Sequence, residues 1–483
     1  MIDIDDVTWT YPGAEAASLE ALSLRISPGE FVVLCGASGS GKSTALRLMN
    51  GLIPHFHEEG SCTGTVTIDG LPARDTELDE IGLRTGSVLQ HPRRQFFADS
   101  AEEEIAFAME NFGFAPELIR ERVDAALADL SATMPIEARL QRLSGGQQQQ
   151  VAIAASAAHD PRVLLLDEPS SNLSVDAVER LAATLARLKA QGVTIVVAEH
   201  RLRYLERLVD RVIVMRRGRI DREWSADRFR EVSDTELERE GLRGEIRAAS
   251  LPHLPAAGAS TARSTPGEEV PAAALELEGI RCRIAGRTVL ELDRVAFAAG
   301  EVTAIRGVNG AGKSTLARIV VGLQRAEGAV RLDGRPLSPR RRQRASAIVM
   351  QDVQRQLFTD SVAAEINLAA VGSGRGSDAS SAAPAVLEAL DLDHLAERHP
   401  LALSGGQQQR LVVAAVRLAA RRIVVFDEPS SGVDRRHLRS ISDQIRRVAD
   451  DGAVVLLISH DEDLLALAAD QQLVLAPAEA RAA

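Results

Sequence analysis

GASGSGKST stands at 36–44 and GVNGAGKST at 307–315, and both fit the spacing G-x-x-x-x-G-K-[ST]. Glycine at positions 36, 39 and 41, and again at 307, 310 and 312, lets backbone N–H groups turn inward and cradle phosphate oxygens. Each stretch follows a short apolar run, FVVLC or VTAIR, and precedes a helical pattern, so the positive end of a helix N-terminus adds to the cradle. The candidate phosphate-binding residues are Gly36, Gly39, Gly41, Lys42, Ser43 and Thr44, with Gly307, Gly310, Gly312, Lys313, Ser314 and Thr315 as their counterparts. Lys42 and Lys313 are expected on the β- and γ-phosphates, and Ser43 and Ser314 offer a hydroxyl to Mg²⁺.

Two further chemical elements follow in the same order in both halves. VLLLDEP (163–169) and IVVFDEP (423–429) are apolar runs that end in a pair of acids. Asp167 and Asp427 are expected to hold Mg²⁺, directly or through water, and Glu168 and Glu428 to polarise the attacking water as general bases. A lone Asp-Glu pair is ordinarily two solvated acids; the phosphate loop ahead of each pair favours the catalytic reading. VTIVVAEH (193–200) and AVVLLISH (453–460) end in His200 and His460, where a sensor of the γ-phosphate belongs.

LSGGQ recurs at 143–147 and 403–407, and it contains no acid, base or strong nucleophile. Ser144 and Ser404 are each followed by two glycines and a helical run, which is the pattern of a hydroxyl N-cap. Such a helix end can bind phosphate. Each half already owns a phosphate loop, so the second phosphate-binding end should meet nucleotide held by the other half. Two halves arranged head-to-tail would sandwich two ATP molecules, with Ser144, Gly145, Gly146 and Gln147 of one half, and Ser404, Gly405, Gly406 and Gln407 of the other, closing the sites.

The elements that must position these residues form an internal repeat. The apolar runs read as buried strands of a mainly parallel sheet, whose C-terminal edge is where ligands bind in α/β folds. The expected fold class is α/β, with two P-loop NTPase domains of core sheet and helices, each carrying a helical signature subdomain. The domains are expected at 1–235 and 274–478, with 236–273 between them as a linker rich in Ala, Pro, Ser and Gly. TELEREGLRGEIRAA (235–249) reads as a solvated helix and GSGRGSDASSAAPA (372–385) as a surface loop insertion.

Composition narrows the classes. The 483 residues exceed one ordinary core, and 45% hydrophobic with 26% charged residues is a globular balance. A net charge of −12 argues against a dedicated nucleic-acid binder. Cys35, Cys62 and Cys282 have no metal spacing and suggest a reducing compartment without disulfides. No secretory leader is expected from MIDIDDVTWT, and no run of 18 apolar residues would span a membrane.

P-loop, Gln after a strand, LSGGQ, D-E-P and strand-terminal His, in that order and twice, resemble the nucleotide-binding domains of ABC transporters. The resemblance covers nearly the whole chain apart from the linker and the C-terminal tail. It implies ATP and Mg²⁺ as cofactors, ATPase activity coupled to transport, and an internal pseudo-dimer of the two halves. It assigns the transport-coupling glutamine, a further Mg²⁺ contact, to Gln90 and Gln351, and the adenine-stacking aromatic to Tyr11. NGLIPHFHEEG, QHPRRQFFADSAEEEIAFAMENFG and QDVQRQLFTDSVAAEINL are similar, more narrowly, to the ATPases of energy-coupling factor importers, which take up vitamins or transition-metal ions. That resemblance implies an integral membrane coupling subunit, a substrate-binding membrane subunit, no nucleic acid, and residence at the cytoplasmic face of the cell membrane. The tandem ATPase of a sugar importer and a soluble ribosome-associated ABC ATPase remain as alternatives.

Aligning the halves leaves differences. Ile284 stands where the first half has Tyr11, Ser174 where the second half has the D-loop aspartate Asp434, and Gln150 where the second half has Arg410. In a head-to-tail arrangement all three fall on the site built on Lys313 and Ser144, which is expected to bind or turn over ATP less well than the site built on Lys42 and Ser404.

Overall fold

The computed structural model describes residues 1–14, 16–56, 59–90, 92, 95–132, 134–171, 173–244, 249–254, 273–284, 286–308, 310–350, 353–372, 377–430 and 435–476. The chain divides into two compact units, Met1–Glu245 and Ile246–Ala483.

The first unit is organised by a sheet whose strand order is Thr85–Val88, Val163–Asp167, Thr194–Ala198, Phe31–Cys35, Arg211–Arg216, Arg219–Ser225. All neighbours pair in parallel except the last two strands. FVVLC and TIVVA are buried at every position because both sheet faces are covered, which is why they read as unbroken apolar runs. The second unit repeats the plan with Ser346–Val349, Ile423–Asp427, Val454–Ile458, Val302–Arg306 and Gln471–Val474, all parallel.

A helical layer accompanies each sheet. In the first unit it comprises Ala101–Asn111, Pro116–Ser131 and Gly145–Ala157, whose Ile105, Met109, Leu130 and Val151 form a core of their own with Leu140 of the turn before the last helix. Ser100 caps the first of these helices by accepting from Glu103 N–H at 3.2 Å, and three acids occupy its first turn, where the helix dipole favours them.

The structure adds a second sheet to each unit that the motif reading does not foresee. It is antiparallel and four-stranded, ordered Leu19–Ile26, Ile2–Thr10, Ser61–Ile68, Leu71–Pro72 in the first unit, with Arg287–Ala298, Ala273–Ile284, Glu327–Leu332, Arg335–Pro336 in the second. Its apolar face is built by cross-strand rows such as Leu24, Ile4 and Val66.

Two local expectations change. The stretch read as a loop insertion forms a helix, Ser377–Ala389. Alanine favours helix, and Ala383, Val386 and Leu387 are buried against the unit's core. The stretch read as a solvated helix forms Asp234–Arg239, capped by Ser233, with Leu237 and nearby Leu242 fully buried in the first unit's core. Burying such a leucine is worth roughly 1.5–3 kcal/mol, enough to hold a short helix down. Further on, Leu254 N–H donates to the Gln472 carbonyl at 2.7 Å, and Gln472 N–H to Pro252 at 2.8 Å, so residues 252–254 lie along the edge strand of the second unit.

Candidate active sites

In the first unit three adjacent parallel strands end together. They deliver the loop Gly36–Thr44, the pair Asp167–Glu168, and His200 to one sheet edge. Gly36 has φ 139°, and a Cβ there would stand 2.2 Å from the Met215 carbonyl oxygen, so only glycine fits the turn into the loop. The loop ends at Gly41, the N-cap of helix Lys42–Met49, which leaves the first helical N–H groups facing the loop.

The side chains converge within this edge. Lys42 Nζ donates to the carbonyls of Gly36 (2.9 Å) and Ala37 (3.1 Å). Ser43 Oγ donates to Asp167 Oδ1 at 3.0 Å. Gln90 Nε2 donates to Glu168 Oε2 at 2.8 Å, and His200 Nε2 lies 3.2 Å from Glu168 Oε1. Ser43, Gln90 and Asp167 share a cavity of about 180 Å³ with Arg47, Asn50 and Ser87. Tyr11 stands next to the helix start: its Oη is 3.4 Å from Thr44 Oγ1 and accepts from Arg47 Nη1 at 3.1 Å, and its ring meets Trp9 edge-on at 5.6 Å.

Burial raises the Asp167 carboxyl to about 6, and the adjacent Glu168 charge adds to the effect. Burial pushes Glu168 upward as well, but the His200 ring, Lys42 and Ser171 outweigh it and hold Glu168 at about 2. Of the two neighbours, Glu168 is the stronger acid.

The second unit has the same plan. Gly307 has φ 142°, and a Cβ there would come 2.5 Å from the Leu475 carbonyl. Lys313 Nζ donates to the carbonyls of Gly307 (2.7 Å) and Val308 (3.3 Å), and Ser314 hydrogen-bonds Asp427. Burial lowers Lys313, while Glu428 and Asp427 act against the shift. Glu428 behaves differently from Glu168: burial and the Asp427 charge raise it to about 8, against the backbone N–H of His460. The His460 ring is 3.9 Å away from it. Gln351, Asn309 and Asp434 lie outside the described residues. Ile284 ends its strand 46% exposed, with no aromatic face to offer.

Both signature stretches form capped helices. Ser144 Oγ accepts from Gln147 N–H (3.3 Å), and Gln147 Oε1 from Ser144 N–H (2.9 Å); Ser404 and Gln407 repeat this at 3.4 and 2.9 Å. The row of glutamines is therefore largely structural. Gln147 and Gln407 close the caps, and Gln148 and Gln408 donate to the carbonyls of Leu140 (2.8 Å) and Pro400 (3.2 Å) in the preceding turns. The first glycine of each pair is not required in this way. A Cβ on Gly145 or Gly405 would meet nothing within 4 Å among the described residues, whereas one on Gly146 would press on Ala177 at 2.9 Å.

Several residues escape the motif reading. Gln95 Oε1 accepts from Leu89 N–H (2.8 Å), and Gln356 Oε1 from Met350 N–H (2.7 Å). Buried Glu104 takes the N–H groups of Phe97 and Ala98 at 2.9 Å, and buried Glu365 those of Phe358 and Thr359 at 3.0 and 3.1 Å. Each loop after the candidate glutamine is thus pinned at both ends while presenting a phenylalanine, Phe97 or Phe358, at 75% and 78% exposure. Phe107 stacks on Phe97 at 4.7 Å. The available signal was an acid on the apolar side of a helix, in SAEEEIAF and SVAAEINL. Glu199 is the other residue missed.

Among the described residues no helix is long and apolar enough to cross a membrane. The model of the family described as ABC transporter matches residues 19–171 and 292–431. A protein of Treponema denticola named as an ABC transporter ATP-binding protein is 38% identical over 98% of this chain and 95% of its own. YkoD of Bacillus subtilis, named for HMP/thiamine import as an ATP-binding protein, is 29% identical over 98% of this chain and 90% of its own. Among solved structures, a chain of ribosome-bound archaeal Pelota and ABCE1 aligns over 97% of this chain and 76% of its own, with TM-score 0.65 and 21% identity, a likeness of fold alone. The chain belongs to the ABC transporter family, as a tandem ATP-binding protein with ATPase activity and two ATP-binding domains.

Proposed function

We propose that this chain is the ATP-hydrolysing motor of a membrane importer of the energy-coupling factor type, working at the cytoplasmic face of the membrane to bring in a vitamin or a metal ion. The observation that carries the reading is the pair of pinned loops with exposed Phe97 and Phe358. A large apolar side chain exposed beside backbone held by buried carboxylates suits docking of a partner. ABC ATP-binding proteins pair with membrane subunits, and the likeness to YkoD along nearly the whole chain supports an importer of this kind.

In this reading Glu168 and Glu428 are the general bases, His200 and His460 sense the γ-phosphate, and Tyr11 stacks on adenine. Lys42 and Lys313 leave the loop carbonyls for the phosphates. Ser43, Asp167 and Gln90 would hold Mg²⁺ in the first unit, with Ser314, Asp427 and Gln351 as their counterparts; clustered oxygen donors at a sheet edge fit that ion. Bound there, Mg²⁺ neutralises charge that develops on the phosphates. Each ATP would lie between the P-loop of one half and the signature helix of the other. The open faces of Gly145 and Gly405 support this, since no described residue comes within 4 Å of a Cβ placed there.

The test is recovery of a tagged chain from detergent-solubilised native membranes, with companions identified by mass spectrometry. A small transmembrane coupling subunit together with a substrate-binding membrane protein is the expected result. Both should be lost in the double variant Phe97→Ser, Phe358→Ser, with the ATPase activity of the isolated chain retained. Recovery with ribosomes, or with a paired permease of sugar-importer type, would overturn the reading.

A further inference from the structure

The two loops that carry the candidate sensor histidines are satisfied by different residues. In the first unit the strand runs into Glu199, which is 2% exposed. Its Oε1 accepts from the N–H groups of His200 (2.8 Å) and Arg201 (3.2 Å), and its Oε2 from Ser170 N–H (3.3 Å) and Tyr204 Oη (3.0 Å). One carboxylate thus ties the turn after Asp167–Glu168 to the histidine loop. Those N–H groups go to Glu199, and Glu168 meets the His200 ring, Gln90 and the Ser171 hydroxyl instead.

The second unit has Ser459 at this position. A hydroxyl is too short to serve both turns. Ser459 Oγ accepts from Asp461 N–H (3.0 Å) and donates to Glu428 Oε2 (3.3 Å). The His460 N–H, which Glu199 satisfies in the first unit, here goes to Glu428, at 3.1 Å to Oε1 and 3.3 Å to Oε2. Glu428 fills the place of the missing acid and is drawn off the His460 ring.

We propose that Glu199 is a positioning residue. By occupying the N–H groups of the histidine loop it leaves Glu168 directed at the attacking water, and its replacement by Ser459 is what turns Glu428 aside. A carboxylate is needed because both of its oxygens must accept; a glutamine would set its NH₂ against N–H or O–H donors on one side. The inference rests on the reading of Glu168 and Glu428 as general bases. It is independent of the importer assignment, because the purified chain's ATPase is the readout.

The experiment measures kcat and KM for ATP in two backgrounds. With Glu428→Gln present, Glu199→Ser should lower kcat about tenfold and leave KM within about twofold, as expected when positioning and not binding is lost. Glu199→Gln should fall between, and Glu199→Asp should recover part of the rate. With Glu168→Gln present, Ser459→Glu should raise kcat several-fold, about the reverse of that loss. The gain-of-function variant covers the case in which Glu199→Ser unfolds. An unchanged kcat in Glu199→Ser, or no rise with Ser459→Glu, would overturn the proposal. Full activity in Glu168→Gln by itself would instead remove the general-base reading on which it rests.

Discussion

Glu168 and Glu428 end equivalent strands and share a left-handed backbone, φ 46° and 54°, that a non-glycine residue rarely adopts. Such backbone strain of about 1–3 kcal/mol concentrates at working sites. Their side chains nevertheless have different partners. Glu168 meets an imidazole, an amide and the Ser171 hydroxyl, while among the described residues Glu428 meets the His460 backbone N–H and the Ser459 hydroxyl. Two sites can therefore carry the same motif and backbone and differ through one residue beside the histidine. In the proposed head-to-tail arrangement Ile284, Ser174 and Gln150 are expected to weaken the site that Glu428 serves.

The largest expected effect separates the two glutamates. Glu168→Gln should lower steady-state phosphate release about a hundredfold, within the usual contribution of a general base, while Glu428→Gln should cost less than about twofold. Equal losses would break the comparison.

Next come the signature glycines. Gly405→Ala should reduce turnover about tenfold and Gly145→Ala less, because the proposed head-to-tail arrangement pairs Gly405 with the Lys42 site. Neither should lower the melting temperature, since alanine in a helix is favoured over glycine by about 0.8–1 kcal/mol and each Cβ has open space. An activity loss that follows a stability loss would contradict the composite arrangement.

The adenine contact should be smaller. Tyr11→Ala should raise KM for ATP by about two- to tenfold, and Ile284→Tyr should tighten ATP binding at the other site by a similar factor, in line with the 0.5–1.5 kcal/mol of an aromatic pair. Equilibrium binding with a fluorescent ATP analogue reads both.

The smallest effect is that of Tyr204→Phe. Burial and the Glu199 carboxylate hold the phenol well above its usual range, so it stays a donor. Removing it takes one of four donors from Glu199 and should cost about 0.5–1.5 kcal/mol of stability by urea unfolding, with a smaller kcat loss than Glu199→Ser. A loss as large as that of Glu199→Ser would show that the phenol, and not the backbone N–H groups, sets the carboxylate.

What was legible in the sequence follows from how locally each function is encoded. The phosphate loops and acid pairs are contiguous, and chemistry fixes their residue types, so Lys42, Ser43 and Asp167 could be named before any fold. The serine cap at Ser144 was equally readable, because capping is a relation between near neighbours. Glu199 was not. Its role exists only because the strand ending at Ala198 lies beside the one ending at Asp167, which brings Ser170 within reach. Gln95 and Glu104 were hidden for the same reason, since their partners are backbone groups of a loop that has no shape until it folds. The antiparallel sheets are faint in the sequence because IDIDDVTWT alternates only in part, its buried positions broken by register shifts at Asp5 and Asp6. Helix Ser377–Ala389 was masked by its serines and glycine-rich approach, and the burial of Leu387 decided it.

The two proposed sites differ in turnover: the Lys42 site hydrolyses ATP and the Lys313 site lags. Rapid-quench measurement of the ATP-saturated, purified chain in the first turnover tests it directly. The prediction is a fast phase releasing one ADP per chain, lost in Glu168→Gln and kept in Glu428→Gln. A fast phase of two ADP per chain, halved alike by either substitution, would contradict it.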